Sequence, residues 1–145
     1  MVSTDPYASG KLKSNTYAAK SDVVGPLVVV LQGHMANREL QLIAPVSRAV
    51  KRYEVHELII TDEAGAGPGK RVDNIAYLGF FSVEQGGVIV AGDNVYLEEK
   101  LIGRLAGFDD THMPNHQNIV IYAANKLSGI EAGAQLGMTI RFEKA

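Results

Sequence analysis

Short apolar runs, each interrupted by a turn signal, constrain the fold of this chain more than any other feature. From Leu27 onward, Val, Ile, Tyr and Phe recur in runs of strand length that are separated by Gly, Asp and Asn. Runs of this kind are typical of β-strands. The pattern predicts strands at 27–32, 40–43, 55–61, 75–83, 94–98, 100–108, 118–123 and 138–143.

The absence of a long amphipathic helical pattern predicts an all-β fold. Many short strands are typical of closed barrels and small sandwiches, because both protect strand edges. We therefore predict a small closed β-barrel of about six to eight strands, with at most a short helix at 46–52 after Pro45. An irregular N-terminal arm at 1–22 precedes a single domain at 23–145. The arm has too little apolar sequence to fold alone, which favours a homo-oligomer in which it contacts another subunit.

Charge and cysteine content narrow the classes of function. The chain has 14 Lys and Arg against 16 Asp and Glu, a net charge of -2. Nucleic-acid-binding proteins usually carry a basic excess, so we predict no nucleic-acid partner. The chain has no Cys, which excludes disulfides and thiolate metal sites. No apolar run approaches the roughly 20 residues that span a bilayer, and no secretory signal is visible. We predict a cytoplasmic protein without a membrane partner.

The segment 108–118 is the strongest candidate for a functional site. Between two predicted strands it contains two His, two Asp, two Asn, one Thr and one Gln. Hairpin loops are usually shorter, and polar loops held by rigid strands often carry binding groups. The same composition also suits a surface loop whose side chains cap its own backbone. The predicted contacts with a small polar or anionic metabolite are Arg38, Asp109, His112, Asn115 and His116.

His112 and His116 are also candidate ligands of a divalent metal ion. Imidazole nitrogens bind zinc and related metals, and an open catalytic site needs about three protein ligands. If the strands close a barrel, a third His could join them across its mouth. We predict His56 as this third ligand, with His34 as the alternative. Glu57 alternates with His56 along the strand and faces the opposite side, so we do not expect the two to act on one substrate.

The order of turns and strands in the last third resembles a known family. A Gly-Asp turn at 92–93 precedes Val-Tyr-Leu, then Ile-Gly-Arg-Leu-Ala-Gly-Phe at 102–108, a loop with Pro114 and Asn-Ile-Val-Ile-Tyr at 118–122. Over residues 55–143 this order resembles the glucitol/sorbitol-specific enzyme IIA component of the sugar phosphotransferase system. The resemblance implies a small β-barrel. That family carries its phosphate on a His in the strand after the Gly-rich loop, and the matching stretch 75–81 contains no His.

Three blocks of the chain are similar to a small bacterial family known as a domain of unknown function. They are Asn-Arg-Glu-Leu-Gln-Leu-Ile at 37–43, Glu-Val-His-Glu-Leu at 54–58 and the polar segment 108–118. This resemblance implies no activity. It adds weight to His112, Asn115 and His116 as functional residues.

Three functions stay open on the sequence. The first is a β-barrel that binds a small polar or anionic metabolite through its polar loop. The second is a metal-dependent enzyme in which His112 and His116 hold a divalent ion and a carboxylate acts as base. The third is a phosphocarrier or a regulatory relative of enzyme IIA, with the phosphorylated residue moved to His56 or His112.

Overall fold

A computed structural model describes residues 20–145, and residues 1–19 lie outside the described part. Most of the arm predicted at 1–22 therefore falls outside it. Within 20–145 the chain has no helix, and so none long and apolar enough to cross a membrane. The all-β prediction is confirmed. The strands are β1 (Val23–Val30), β2 (His34–Met35), β3 (Leu40–Gln41), β4 (Ser47–Val50), β5 (Val55–Thr61), β6 (Arg71–Val72), β7 (Ile75–Ser82), β8 (Gly87–Val90), β9 (Asn94–Leu97), β10 (Lys100–Asp109), β11 (Asn118–Tyr122) and β12 (Thr139–Glu143).

Seven of these strands close into a ring. Its order is β1-β12-β9-β10-β11-β5-β7, and β7 pairs back onto β1. Neighbouring strands are antiparallel except β5 and β11, which run parallel from Glu57 beside Asn118 to Thr61 beside Tyr122. Closing the ring pairs both edges of the sheet, which is the protection that short strands need.

Alternation along the strands divides their side chains between an inner and an outer face. Leu58 and Ile60 of β5 point inward and pack with Phe81 of β7 and Phe108 of β10 in the main core. β-Branched and aromatic side chains pack well on a pleated surface. The apolar runs of the sequence consequently become the wall of this core.

A second, smaller core covers part of the outer face. Ile59 of β5 and Val120 of β11 pack there against Leu40 of β3 and Val72 of β6, which form an antiparallel pair. This cover buries β5 on both faces. It leaves the first residues of β5 beside the polar loop at 110–117.

The short helix predicted at 46–52 is wrong, because this segment contains strand β4. Ser47 lies opposite Val90 and Val50 opposite Gly87, in an antiparallel pair with β8. Pairing with a distant segment outweighs the local helix signal of Pro45. The sequence pattern also misses β2, β6 and β8, since strands of two to four residues are too short to show a period.

Candidate metal centre

The loop at 110–117 turns back on itself and brings two imidazoles together. The main-chain N–H groups of Asn115 and His116 both donate to the carbonyl oxygen of His112, at 3.0 and 3.2 Å. The ring centroids of His112 and His116 are 5.1 Å apart. Two of the residues predicted as metal ligands therefore lie side by side.

Glu57 completes the group from the outer face of β5. One of its carboxylate oxygens and one ring nitrogen each of His112 and His116 lie within 4.8 Å of one another. Oε1 of Glu57 is 3.5 Å from Nε2 of His116. Two ligands held about 2.1 Å from a tetrahedral zinc ion are about 3.4 Å apart, so this pair is already at ligand spacing. We call Glu57, His112 and His116 the triad.

Nε2 of His116 is buried and has no hydrogen-bond partner within residues 20–145. Its 3.5 Å separation from Glu57 is an electrostatic contact and not a hydrogen bond. Buried polar atoms in folded proteins are nearly always satisfied. An unsatisfied imidazole nitrogen beside a carboxylate therefore fits a cation that binds both.

The rest of the His116 ring is held by its neighbours. Nδ1 lies 3.2 Å from Nδ2 of Asn115, and Phe80 of β7 packs edge-on against the ring with centroids 5.1 Å apart. The oxygen and nitrogen of an amide exchange places by a flip. After such a flip the amide oxygen of Asn115 would accept the Nδ1 proton and leave the Nε2 lone pair for a metal. Metal-bound imidazoles usually have such an acceptor on the second nitrogen.

Glu57 occupies a position that penalises its negative charge. Only 10% of its side chain is exposed. Burial raises the pKa of Glu57, while the positive charges of His112 and Arg38 lower it. A buried carboxylate needs a cationic partner, and a metal ion would supply one.

Asn118 contributes a second unsatisfied atom on the same face. It lies beside Glu57 in the parallel pair of β5 and β11, and its Nδ2 donates to Asp109 at 3.1 Å. That bond fixes the orientation of the amide, because a carboxylate only accepts. Oδ1 of Asn118 is buried without a partner among the described residues.

His56, predicted as the third ligand, faces the inner side of β5 and is not in the triad. Its Nδ1 accepts the main-chain N–H of Gln117 at 2.9 Å, and its Nε2 is 2.9 Å from Oε1 of Glu54. Because Nδ1 accepts a hydrogen bond, it carries no proton, and the imidazole is therefore neutral with its proton on Nε2. Burial lowers the pKa of His56, which favours that neutral form. Both nitrogens are in use, and Glu57, not His56, lies close to His112 and His116.

His34, the alternative third ligand, pairs elsewhere. Its Nε2 is 2.5 Å from Oε1 of Glu131, and both side chains are nearly half exposed. The carboxylate also accepts the main-chain N–H of Ser128 at 2.8 Å. These bonds hold the pKa of Glu131 at about 2, with the Ser128 N–H as the largest cause. His34 belongs to this surface pair and not to the triad.

Asp109 and Arg38 differ from each other in what they contact. Asp109 is buried and accepts hydrogen bonds from the main chain of Gln41 and Thr111 and from Asn118. Its carboxylate is occupied within the fold. The guanidinium of half-buried Arg38 forms no hydrogen bond or ion pair within residues 20–145, although its charge reaches Glu57. Of these two predicted contacts, Arg38 is the one whose charged group is available to bind an anion.

Comparison with known protein families gives one match. The model of a family of unknown function, DUF6917, covers residues 17–143. The chain belongs to the DUF6917 family. No curated protein and no solved structure gives a significant match. Membership in DUF6917 confirms the predicted resemblance to an uncharacterised family. The resemblance to enzyme IIA gains no support, and the phosphocarrier function stays a prediction.

The sequence pattern of this DUF6917 protein does not predict Glu57 and Phe80 as site residues. One signal for Glu57 exists, since it is the only acidic residue in strand β5. A charge within a strand that is buried on both faces requires a partner. Phe80 carries no such signal, because an aromatic residue in a strand is ordinary.

Glu57→Gln is expected to stabilise the metal-free DUF6917 protein at neutral pH. Burial raises the pKa of Glu57, so the protonated carboxyl favours folding, and this stability is lost as the pH rises through the raised pKa. Glutamine stays neutral. The variant should melt a few degrees above wild type at neutral pH and match it below about pH 4.

Calorimetry on metal-free protein measures this difference. Glu99→Gln is the matched control, because Glu99 is exposed and its replacement should leave the Tm unchanged. A Glu57→Gln variant that melts below wild type at neutral pH contradicts the argument from burial.

Proposed function

We propose that this DUF6917 protein binds a divalent transition-metal ion through Glu57, His112 and His116 and uses it to hold a small anionic metabolite. The observation that carries the proposal is the buried, unpartnered Nε2 of His116 at ligand spacing from Glu57. Two imidazoles and one carboxylate are donors that zinc and iron(II) use in proteins. Three protein ligands leave coordination positions for water and substrate.

The residues around the triad give each ligand a distinct role. Glu57 supplies the single negative charge, and β5 fixes its position. His116 is oriented by Phe80 and Asn115, whereas the side chain of His112 is exposed at the surface of the loop. With a metal bound, the open positions offer Lewis-acid chemistry to an oxygen of the substrate.

The charges at the site favour an anionic substrate. A divalent ion with one carboxylate ligand keeps a net positive charge, and the free guanidinium of Arg38 adds another close to Glu57. Guanidinium groups bind carboxylates and phosphates in a two-pronged geometry. Since His112 is exposed, a small metabolite can reach the metal from solvent. The substrate class that fits is a small carboxylate or phosphate ester with an oxygen free to coordinate.

One titration series tests both parts of the proposal. Tag-free protein stripped of metal should bind about one zinc ion per chain, as the single triad requires. Inorganic phosphate should then bind the zinc-loaded protein and not the metal-free protein. Arg38→Gln should weaken phosphate binding about tenfold, since a hydrogen bond to a charged group contributes about 1.5–3 kcal/mol. It should not weaken zinc binding, because Arg38 is not a ligand and its removal takes a positive charge away from the site.

Arg104→Gln is the matched control for Arg38, because Arg104 stacks on Tyr122 at 4.6 Å and lies on a different strand from the triad. A protein that binds no zinc overturns the metal centre. Zinc binding together with phosphate affinity that is equal in Arg38→Gln and wild type retains the metal and overturns the role of Arg38.

A further inference from the structure

A cavity lies at the other end of the ring from the triad. The triad and its loop meet the first residues of β5 and β11, whereas the cavity reaches Ile60, near the end of β5, and Ala123, just after β11. Its volume is about 230 Å³. Aliphatic side chains form most of the lining, among them Ile60, Leu78, Leu97, Leu101, Ile102 and Leu127.

The buried floor of this cavity and its exposed rim, at Leu101, differ in solvent exposure. Ile60, Leu78 and Leu97 form the floor and are 3, 1 and 6% exposed, because they also belong to the main core. Leu101 on β10 lines the cavity and is 52% exposed. An apolar ligand would cover this leucine and remove its surface from water, which is favourable.

The polar side chains of the lining are Lys100 and Asn125. Lys100 is the first residue of β10, next to Leu101. Its ammonium forms no hydrogen bond or ion pair within residues 20–145. Long cationic side chains lay their methylene stems on apolar surface and keep the charge in water. Lys100 therefore places a free positive charge at the opening of an aliphatic cavity.

We propose that this cavity binds a small amphiphile with an aliphatic body and a carboxylate, of the class of medium-chain fatty acids. The aliphatic floor accepts the hydrocarbon chain, and Lys100 pairs with the carboxylate at the opening. An apolar cavity of about 150 Å³ accommodates benzene, so about 230 Å³ suffices for a longer flexible chain. Ligand sites often lie at the open ends of closed sheets. The proposal is independent of the metal centre.

Octanoate and its neutral analogue 1-octanol are the probes, and methyl NMR of the full chain is the measurement. Both should shift the methyl signals of Ile60, Leu78 and Leu101. Octanoate should shift these cavity signals to the same extent with and without zinc, because the triad lies at the opposite end of the ring. Lys100→Gln should weaken octanoate binding about threefold, the scale of an exposed ion pair, and leave octanol unchanged.

Filling the cavity supplies the second arm of the test. Ala132→Leu places a larger side chain in the lining and should weaken both probes at least about tenfold, because the displaced volume is what binds the chain. Ala124→Leu also places a larger side chain in the lining, at an exposed position. This variant replaces Ala132→Leu in the test if Ala132→Leu does not fold. Ala49→Leu, on β4 and outside the lining, is the control and should bind both probes as wild type does.

Three results would overturn the proposal. They are shifts of the cavity methyl signals that need zinc, methyl shifts confined to residues outside the cavity, and unchanged binding in folded Ala132→Leu or Ala124→Leu. An equal loss of octanol and octanoate in Lys100→Gln would overturn the assignment of the carboxylate to Lys100.

Discussion

His112→Ala and His116→Ala are each expected to lower zinc affinity more than about 100-fold, since losing a residue that only orients a metal ligand already costs about 10- to 100-fold. His112 is the cleaner variant, because its side chain is exposed and its removal leaves the core intact. His116 contacts Phe80, so His116→Ala also loses packing. Glu57→Gln should lower zinc affinity to a similar extent, because an amide carries no negative charge.

Competition with a chromophoric chelator measures these affinities. His34→Ala is the matched control, since His34 pairs with Glu131 on the surface, and its zinc affinity should equal that of wild type. His56→Gln separates the two candidates for the third ligand. A folded His56→Gln variant that keeps its zinc affinity supports Glu57, whereas one that loses zinc as His112→Ala does would return His56 to the ligand set.

The strands and the polar loop were accessible from the sequence, because both depend on local pattern. Apolar alternation places β5, β7, β10 and β11 close to their observed positions. The polar composition of 108–118 identifies the loop, and the close spacing of His112 and His116 makes them a natural pair. Hydrogen bonds to the carbonyl of His112 then bring the two rings together.

The third member of the triad was not accessible from the sequence, because it depends on which distant strands are neighbours. Glu57 reaches the loop only because β5 runs parallel to β11, with Glu57 beside Asn118. Alternation correctly separates His56 from Glu57, but it does not tell which face of β5 the loop covers. Residue type favours His56 as a ligand of metals, and the observed hydrogen bonds to Gln117 and Glu54 occupy it instead.

The role of Asp109 also depends on a tertiary contact that the sequence does not predict. A carboxylate at the start of a polar loop is a natural contact for a ligand, and no sequence pattern reveals that Gln41 approaches it. The isolated bridge between Leu42 and Asp109 brings that segment across the loop. The main-chain N–H of Gln41 then donates to Oδ2 of Asp109 at 3.1 Å. Tertiary contact thus assigns Asp109 to the fold.

Asp109→Ala is expected to lower the free energy of unfolding by at least about 3 kcal/mol, because each of the three donors left without an acceptor costs about 1–3 kcal/mol. The donors left without an acceptor are the N–H groups of Gln41 and Thr111 and the amide of Asn118. Asp109 is 3% exposed, so water does not readily replace the carboxylate. Asp109→Asn keeps one oxygen and should lose about half as much, since the charge and one acceptor are gone.

Urea unfolding of the metal-free protein measures this loss without a contribution from bound zinc. Asp110→Ala is the matched control, because Asp110 is exposed and accepts a single side-chain bond, from Gln117 at 2.6 Å. Gln117 also donates to the main-chain oxygen of Asp109 at 2.7 Å, so this variant should lose no more than about 1 kcal/mol. Equal stabilities of Asp109→Ala and Asp110→Ala would show that Asp109 does not anchor the loop. Its carboxylate would then be free for the ligand contact that its sequence position predicts.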